Sequence, residues 1–169
     1  CMMYHTEYTD NGMQKMSVLP IRQGNMFLGK FCISALLLSA MVVIEIAALI
    51  GCASYWFPSY TFDLAEILKT TGFQIVVTLP TLMSMLVIAS ACKNMWVSLG
   101  IGVILVFTLS ILPQDNTVLS LFPFSSPYQT LAAATENSRT TLFLSVCGVE
   151  TVLFGIVEMI YLKVRRCFE

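Results

Sequence analysis

Four apolar runs limit what this chain of 169 residues can become: about Phe31 to Ser54, Thr71 to Cys92, Met95 to Leu112 and Thr140 to Leu162. Crossing a bilayer as a helix takes about 17–25 apolar residues. Within the hydrocarbon, only helices and closed barrels satisfy every backbone polar group. The composition agrees: 57% of residues are hydrophobic and only 11% charged, where a soluble domain is about half apolar and a quarter charged. The expected fold is all-α: a polytopic helical membrane protein with four transmembrane helices in one domain over residues 31–169. A separate polar segment, 1–30, precedes it. The partners this implies start with the lipid bilayer. No basic cluster or basic-aromatic stripe provides a nucleic-acid footprint.

Lysine and arginine set the expected orientation, because they concentrate on the cytoplasmic side. Lys15, Arg22 and Lys30 precede the first run, Lys93 follows the second, and Lys163, Arg165 and Arg166 follow the fourth. All seven fall on one side, and only Lys69 and Arg139 fall on the other. Both visible termini are therefore expected in the cytoplasm. Lys93 and Asn94 leave room for only a tight turn, so the second and third spans should be antiparallel neighbours. Pro80 should kink the second span by removing one backbone hydrogen bond.

Two stretches outside the runs have helical signals. In "DLAEILKTTG", Asp63 can cap a short helix and Glu66 follows three residues later. In "SSPYQTLAAATEN", Ser126 fits an N-cap, Pro127 the first helical position and Gln129 a capping-box spacing. With the apolar "LFPFSSP" before it, this second stretch reads as an interfacial or re-entrant helical element on the outer side.

Candidates for chemistry are few. Glu45, Glu150 and Glu158 fall inside the spans, where an ionised side chain costs about 2.5–3.5 kcal/mol on insertion scales. Glu45 and Glu150, near the middles of their spans, fit a polar lining or proton site. They equally fit a hydrogen-bonded pair that holds helices together, and no cation matches them in depth. Glu158 lies nearer the cytoplasmic end, within reach of Lys163 or the headgroups. Small residues such as Ala47, Gly51, Gly100, Gly102, Gly148 and Gly155 suit close helix packing. The six cysteines are dispersed and the lone histidine is His5, so no metal site is expected, and the cysteines read as small buried hydrophobes. Neither a catalytic triad nor a phosphate-binding glycine loop can be assembled. The chain is not expected to be an enzyme or to bind a cofactor.

The stretch "EYTDNGMQKMSVLPIRQGNMFLGK" leads into the first run. Thr9 or Asp10 can cap a helix there, and Met13 and Met16, with Val18 or Leu19, form an apolar stripe. Pro20 ends that helix. A methionine-rich stripe with a weakly basic polar face suits a protein groove better than a lipid surface.

This stretch resembles the cytoplasmic coupling region of permease subunits of type-2 ABC exporters. The matching residues are Glu7, Gly12, Leu19, Pro20, Arg22 and Lys30, with Met13 and Met16 on the helix between. "ILP" at Ile111 to Pro113, "LFPFSSPYQTL" and the basic tail "KVRR" are similar to the family's later half. In general style the likeness runs to the smaller permeases of lantibiotic-immunity exporters. The resemblance implies a bacterial cytoplasmic-membrane permease that moves an apolar or peptide cargo, a lantibiotic being one candidate. It also implies a separate ATP-binding subunit that carries ATP and Mg, and a second permease chain in a homo- or heterodimer. Family members have six spans with one ahead of the coupling helix, so this chain, starting at Cys1, is expected to lack the first. Two other readings stay open: a non-transporting four-span scaffold or assembly protein, and a proton-coupled carrier that uses Glu45 and Glu150.

Overall fold

The computed structural model describes residues 23–56, 63–92, 94–111, 122–136 and 140–168. Helix α1 is Gln23–Trp56, α2 is Leu64–Ala91 and α3 is Met95–Ile111. A 3-10 turn, Ser126–Tyr128, and the short α4, Leu131–Glu136, lead to α5, Thr140–Phe168. There is no strand among the described residues. Among the described residues, three helices are long and apolar enough to cross a membrane, and α3, with 17 residues, is shorter. The protein is thus an all-α polytopic membrane protein. The expected third span is its shortest, at the lower limit of about 17 residues for a crossing.

Helix α2 starts where the sequence says it should. The Asp63 carboxylate accepts a hydrogen bond from the Ala65 N–H at 3.1 Å, and Glu66 sits in the first turn. The expected short helix over "DLAEILKTTG" is not a separate element. It is the first part of α2, which runs unbroken through Pro80 to Ala91. Asn94 then caps α3 by accepting from the Trp96 N–H at 3.0 Å. The α2–α3 connection is as tight as its sequence requires.

Every other described element touches α2. Its 18-residue apolar window is 39% buried, against 6% for that of α1, so α2 is the axis and α1 lies largely open. Two apolar clusters fix the register. Phe73 and Val77 of α2 meet Phe143 and Cys147 of α5, with Leu131 and Ala134 of α4. Further along α2, Met83, Leu86 and Ala89 meet Phe27 of α1 and Leu162 of α5, with Phe31, Leu82 and Phe154 packed alongside. Early α2 therefore pairs with early α5, and late α2 with late α5, so these two helices are parallel. Helix α1 is antiparallel to both, because its start meets their ends.

Of the glycines expected to pack, Gly102 makes the closest approach. A Cβ there would come 2.6 Å from Met85 Sδ of α2. At Gly155 it would come 3.3 Å from Met83 Cε, while at Gly51, Gly100 and Gly148 it would meet nothing within 4 Å. Cys147 is buried as expected, but Cys32 and Cys52 are exposed on α1, where lipid contact is a sufficient role for a small apolar group. The Gly102 contact predicts that Gly102→Leu lowers stability in detergent by about 1–3 kcal/mol through overpacking. Gly100→Leu, two residues away and open, should not lower it, and losing a helix-interior glycine gains about 0.5–1 kcal/mol. Thermal unfolding of the two purified variants checks the contrast.

Candidate functional site

Most hydroxyls in the helices are satisfied within their own helix. Ser39 donates to the Leu36 carbonyl, Thr71 to Ile67, Ser84 to Thr81, Ser110 to Phe107 and Thr151 to Cys147. Such back-bonding is how a hydroxyl hides in an apolar medium. Among the described residues, Gln74, Ser126 and Thr81 instead bind a distant segment. Gln74 Nε2 donates to the Pro127 carbonyl at 3.0 Å. Ser126 Oγ donates to the Val77 carbonyl at 2.9 Å. Thr81 Oγ1 donates to the Pro123 carbonyl.

Gln74, Val77 and Thr81 are three and four residues apart, so they share one face of α2. About 15–25 Å along the helix from Leu64, at a rise of about 1.5 Å per residue, this face carries the segment 122–129. Pro123, Phe124, Ser125 and Ser126 are all buried there. Helix α3 is antiparallel to α2 and α5 is parallel to it. The chain between them thus departs and returns at one end of the bundle, dipping alongside α2 in between. The described residues of the expected interfacial or re-entrant element pack against α2; Leu119 to Leu121 lie outside them.

The local chemistry explains why it docks at this height. Pro80 has no N–H for the Val76 carbonyl, and its ring crowds the preceding turn. In membrane helices, Ser and Thr side chains commonly satisfy backbone groups that a proline disturbs. Here Ser126 reaches the adjoining Val77 carbonyl. Ser126 Oγ also lies 3.0 Å from the Pro123 carbonyl, but a hydroxyl has a single proton to donate. The Val77 carbonyl, at 2.9 Å, and the Pro123 carbonyl are both within its reach, so the hydroxyl is shared between the α2 backbone and its own turn. Ser126 is accordingly no N-cap. The turn starts from Ser125, and the Gln129 N–H closes it on the Ser126 carbonyl at 3.1 Å.

The three expected carboxylates sit in three different settings. Glu45 is exposed on α1. Glu150 is half-buried on α5, three residues beyond Cys147, which puts it level with Pro80; its Oε2 is buried without a hydrogen-bond partner among the described residues. Glu158 is fully buried, at 0% exposure. Lys163, five residues further along α5, is exposed. Lys30 is half-buried on α1. Glu7, Gly12, Met13, Met16, Leu19, Pro20 and Arg22 lie outside the described residues, as does Lys93. Among the described residues no group of three or more His, Cys, Asp or Glu side chains is placed to hold a metal ion.

Of the polar triad Gln74, Thr81 and Ser126, the sequence marks Ser126 only as a helix cap and does not mark Thr81. Gln74 was the available signal: an uncharged polar side chain inside "TGFQIVV", six residues before a proline.

Comparison with known proteins gives one family. The model described as ABC-2 family transporter protein matches residues 1–109, well over half of the chain. No curated protein and no solved structure matches. The matched part includes the opening polar segment, α1, α2 and most of α3. The docked segment, α4 and α5 lie beyond it.

The triad predicts that Ser126→Ala and Thr81→Val each lower stability in detergent by about 0.5–1.5 kcal/mol, the range for hydrogen bonds between membrane helices. Ser145→Ala removes a hydroxyl that is exposed and bonded only within its helix, so its effect should stay below about 0.5 kcal/mol. Thermal unfolding of the three variants tests the ranking.

Proposed function

The chain belongs to the ABC-2 transporter family, and we propose that, as a permease subunit of an ABC transporter, it exports an apolar or peptide cargo with energy from a separate ATP-binding subunit. The observation that carries this reading is the reach of the family match, residues 1–109. It takes in the segment with Glu7, Gly12, Met13, Met16, Leu19, Pro20, Arg22 and Lys30, whose pattern suits a helix docked on a partner. ATP and Mg would be bound by that partner, not by this chain. A second permease chain, identical or homologous, would complete the pathway. The membrane would be the bacterial cytoplasmic membrane, with residues 1–30 on the side of the ATPase. A lantibiotic-type peptide is one cargo that fits the apolar surroundings.

In this mechanism the partner's closure on ATP pushes on residues 1–22, and α1 carries that push into the bundle. Helix α2 distributes it, since α1, α3, α5 and the docked segment all bear on it. A site loaded from one side and emptied to the other requires these helices to move as a few packed bodies, not residue by residue.

Replacing both Met13 and Met16 with aspartate puts charge on the apolar stripe. Co-purification with the ATP-binding subunit should fall by at least about tenfold, while the permease itself still accumulates in the membrane. Undiminished co-purification together with undiminished transport would remove the docking assignment.

One observation favours a second reading, a proton-coupled carrier: Glu150 Oε2 is buried without a hydrogen-bond partner among the described residues. The exposed Glu45 gives no matching support. Under that reading, Glu150→Gln abolishes transport driven by an imposed proton gradient. Under the exporter reading, ATP-driven transport by Glu150→Gln stays within about threefold of the unsubstituted protein, because no proton transfer is required of it.

A further inference from the structure

Among the described residues, Glu158 is the one carboxylate that is buried completely, at 0% exposure. A carboxylate held away from solvent inside a membrane helix needs a partner, and such residues characteristically pair with an opposite charge. The packing around it indicates which one.

On α5, Phe154, Glu158 and Leu162 are spaced four apart and so share one face. Phe154 and Leu162 both pack in the cluster at the C-terminal end of α2. On α1, Phe27, Lys30 and Phe31 likewise share a face, and Phe27 and Phe31 pack in that same cluster. Glu158 lies midway between the two α5 members, and Lys30 lies between the two α1 members. The two charged residues are therefore at one level of the bundle. The α5 register gives the same height: Gly155 is opposite Met83, so Glu158 stands near Leu86 and Val87 of the parallel α2.

The other lysines with described side chains do not fit. Lys69 is exposed near the opposite end of α2, about 27 Å away along the helix. Lys163 is exposed on α5, about 140° around the helix from Glu158 at about 100° per residue. Lys30 is half-buried, and its four-carbon stem lets an ammonium reach inward from a helix face. Neither Lys30 nor Glu158 is without an interaction.

We propose that Lys30 and Glu158 form an ion pair that ties the start of α1 to α5 across the C-terminal end of α2. They are positioning residues. Lys30 is the last residue of the polar segment before the apolar part of α1, and the charge pairing passes displacement of that segment directly to α5. This role rests on the permease reading above, whereas the pair itself does not.

The test uses the full chain in its native membrane, alone and with the ATP-binding subunit. Lys30→Met leaves a buried carboxylate unpaired. Glu158→Gln leaves a lysine that can turn outward, and the double variant leaves no charge at all. Removing one partner of a buried pair costs far more than removing both. Lys30→Met should therefore cut the yield of monodisperse protein by at least about fivefold, and the double variant should return it to within about twofold of the unsubstituted chain. Losses that multiply in the double variant would overturn the pair.

The coupling role is read separately, on the complex. The double variant, folded but unpaired, should lose at least about tenfold of ATP-driven transport, whereas Lys30→Arg, which keeps the charge, should hold within about threefold. Full transport by the double variant would overturn that role. Should the unsubstituted chain bind no ATP-binding subunit, the permease reading fails, and the yield comparison still decides the pair.

Discussion

Backbone polar groups have no water to turn to within a bilayer, and that constraint organises this molecule. A proline in the middle of a long helix disturbs its ladder, and a proline-rich irregular segment brings carbonyls of its own into the same region. Each solves part of the other's difficulty. Ser126 donates to the α2 carbonyl beside the proline-disturbed turn, while Thr81 and Gln74 of α2 donate to the Pro123 and Pro127 carbonyls. Irregular backbone is tolerated at membrane depth only where protein or a watery cavity receives it, and α2 receives this one. Local back-bonding elsewhere in the helices shows the alternative: a hydroxyl that bonds its own helix stabilises no tertiary contact.

From that docking follows the central place of α2. It has a partner at every level: α4 and the start of α5 at Phe73 and Val77, the docked segment around Pro80, α3 at Met85, and α1 with the end of α5 at Leu86 and Ala89. Helix α1 is the opposite case, with Leu36, Leu37, Met41 and Ile44 all exposed. A helix anchored at its start and open along its length suits an element driven from one end. Under the proposed permease role, such an arrangement lets a push on the opening segment reach the other helices.

The fold was largely legible in the sequence, for physical reasons. Long apolar runs admit no other solution in lipid, a two-residue connection forces an antiparallel pair, and Asp63 announces its helix by capping it. Family membership was legible too, through the residues between Glu7 and Lys30. What the sequence could not show was which polar residues act across the fold. Thr81 and Thr78 look alike in the run, yet Thr78 bonds within α2 while Thr81 bonds the Pro123 carbonyl 42 residues away. Ser126 fits a helix cap by spacing, but its hydroxyl lies on the Val77 and Pro123 carbonyls instead, and the turn starts from Ser125. Glu158 looked like a group near the membrane surface because depth along a span is readable, whereas the direction a side chain faces depends on its neighbours.

The most direct test of the account is ATP-dependent transport in sealed vesicles that contain this chain and its ATP-binding subunit. A labelled amphipathic peptide serves as the probe. The account predicts movement that requires hydrolysable ATP and both subunits, and that persists when the proton gradient is collapsed. Movement driven by an imposed proton gradient without ATP, or unchanged when this chain is omitted, would contradict it.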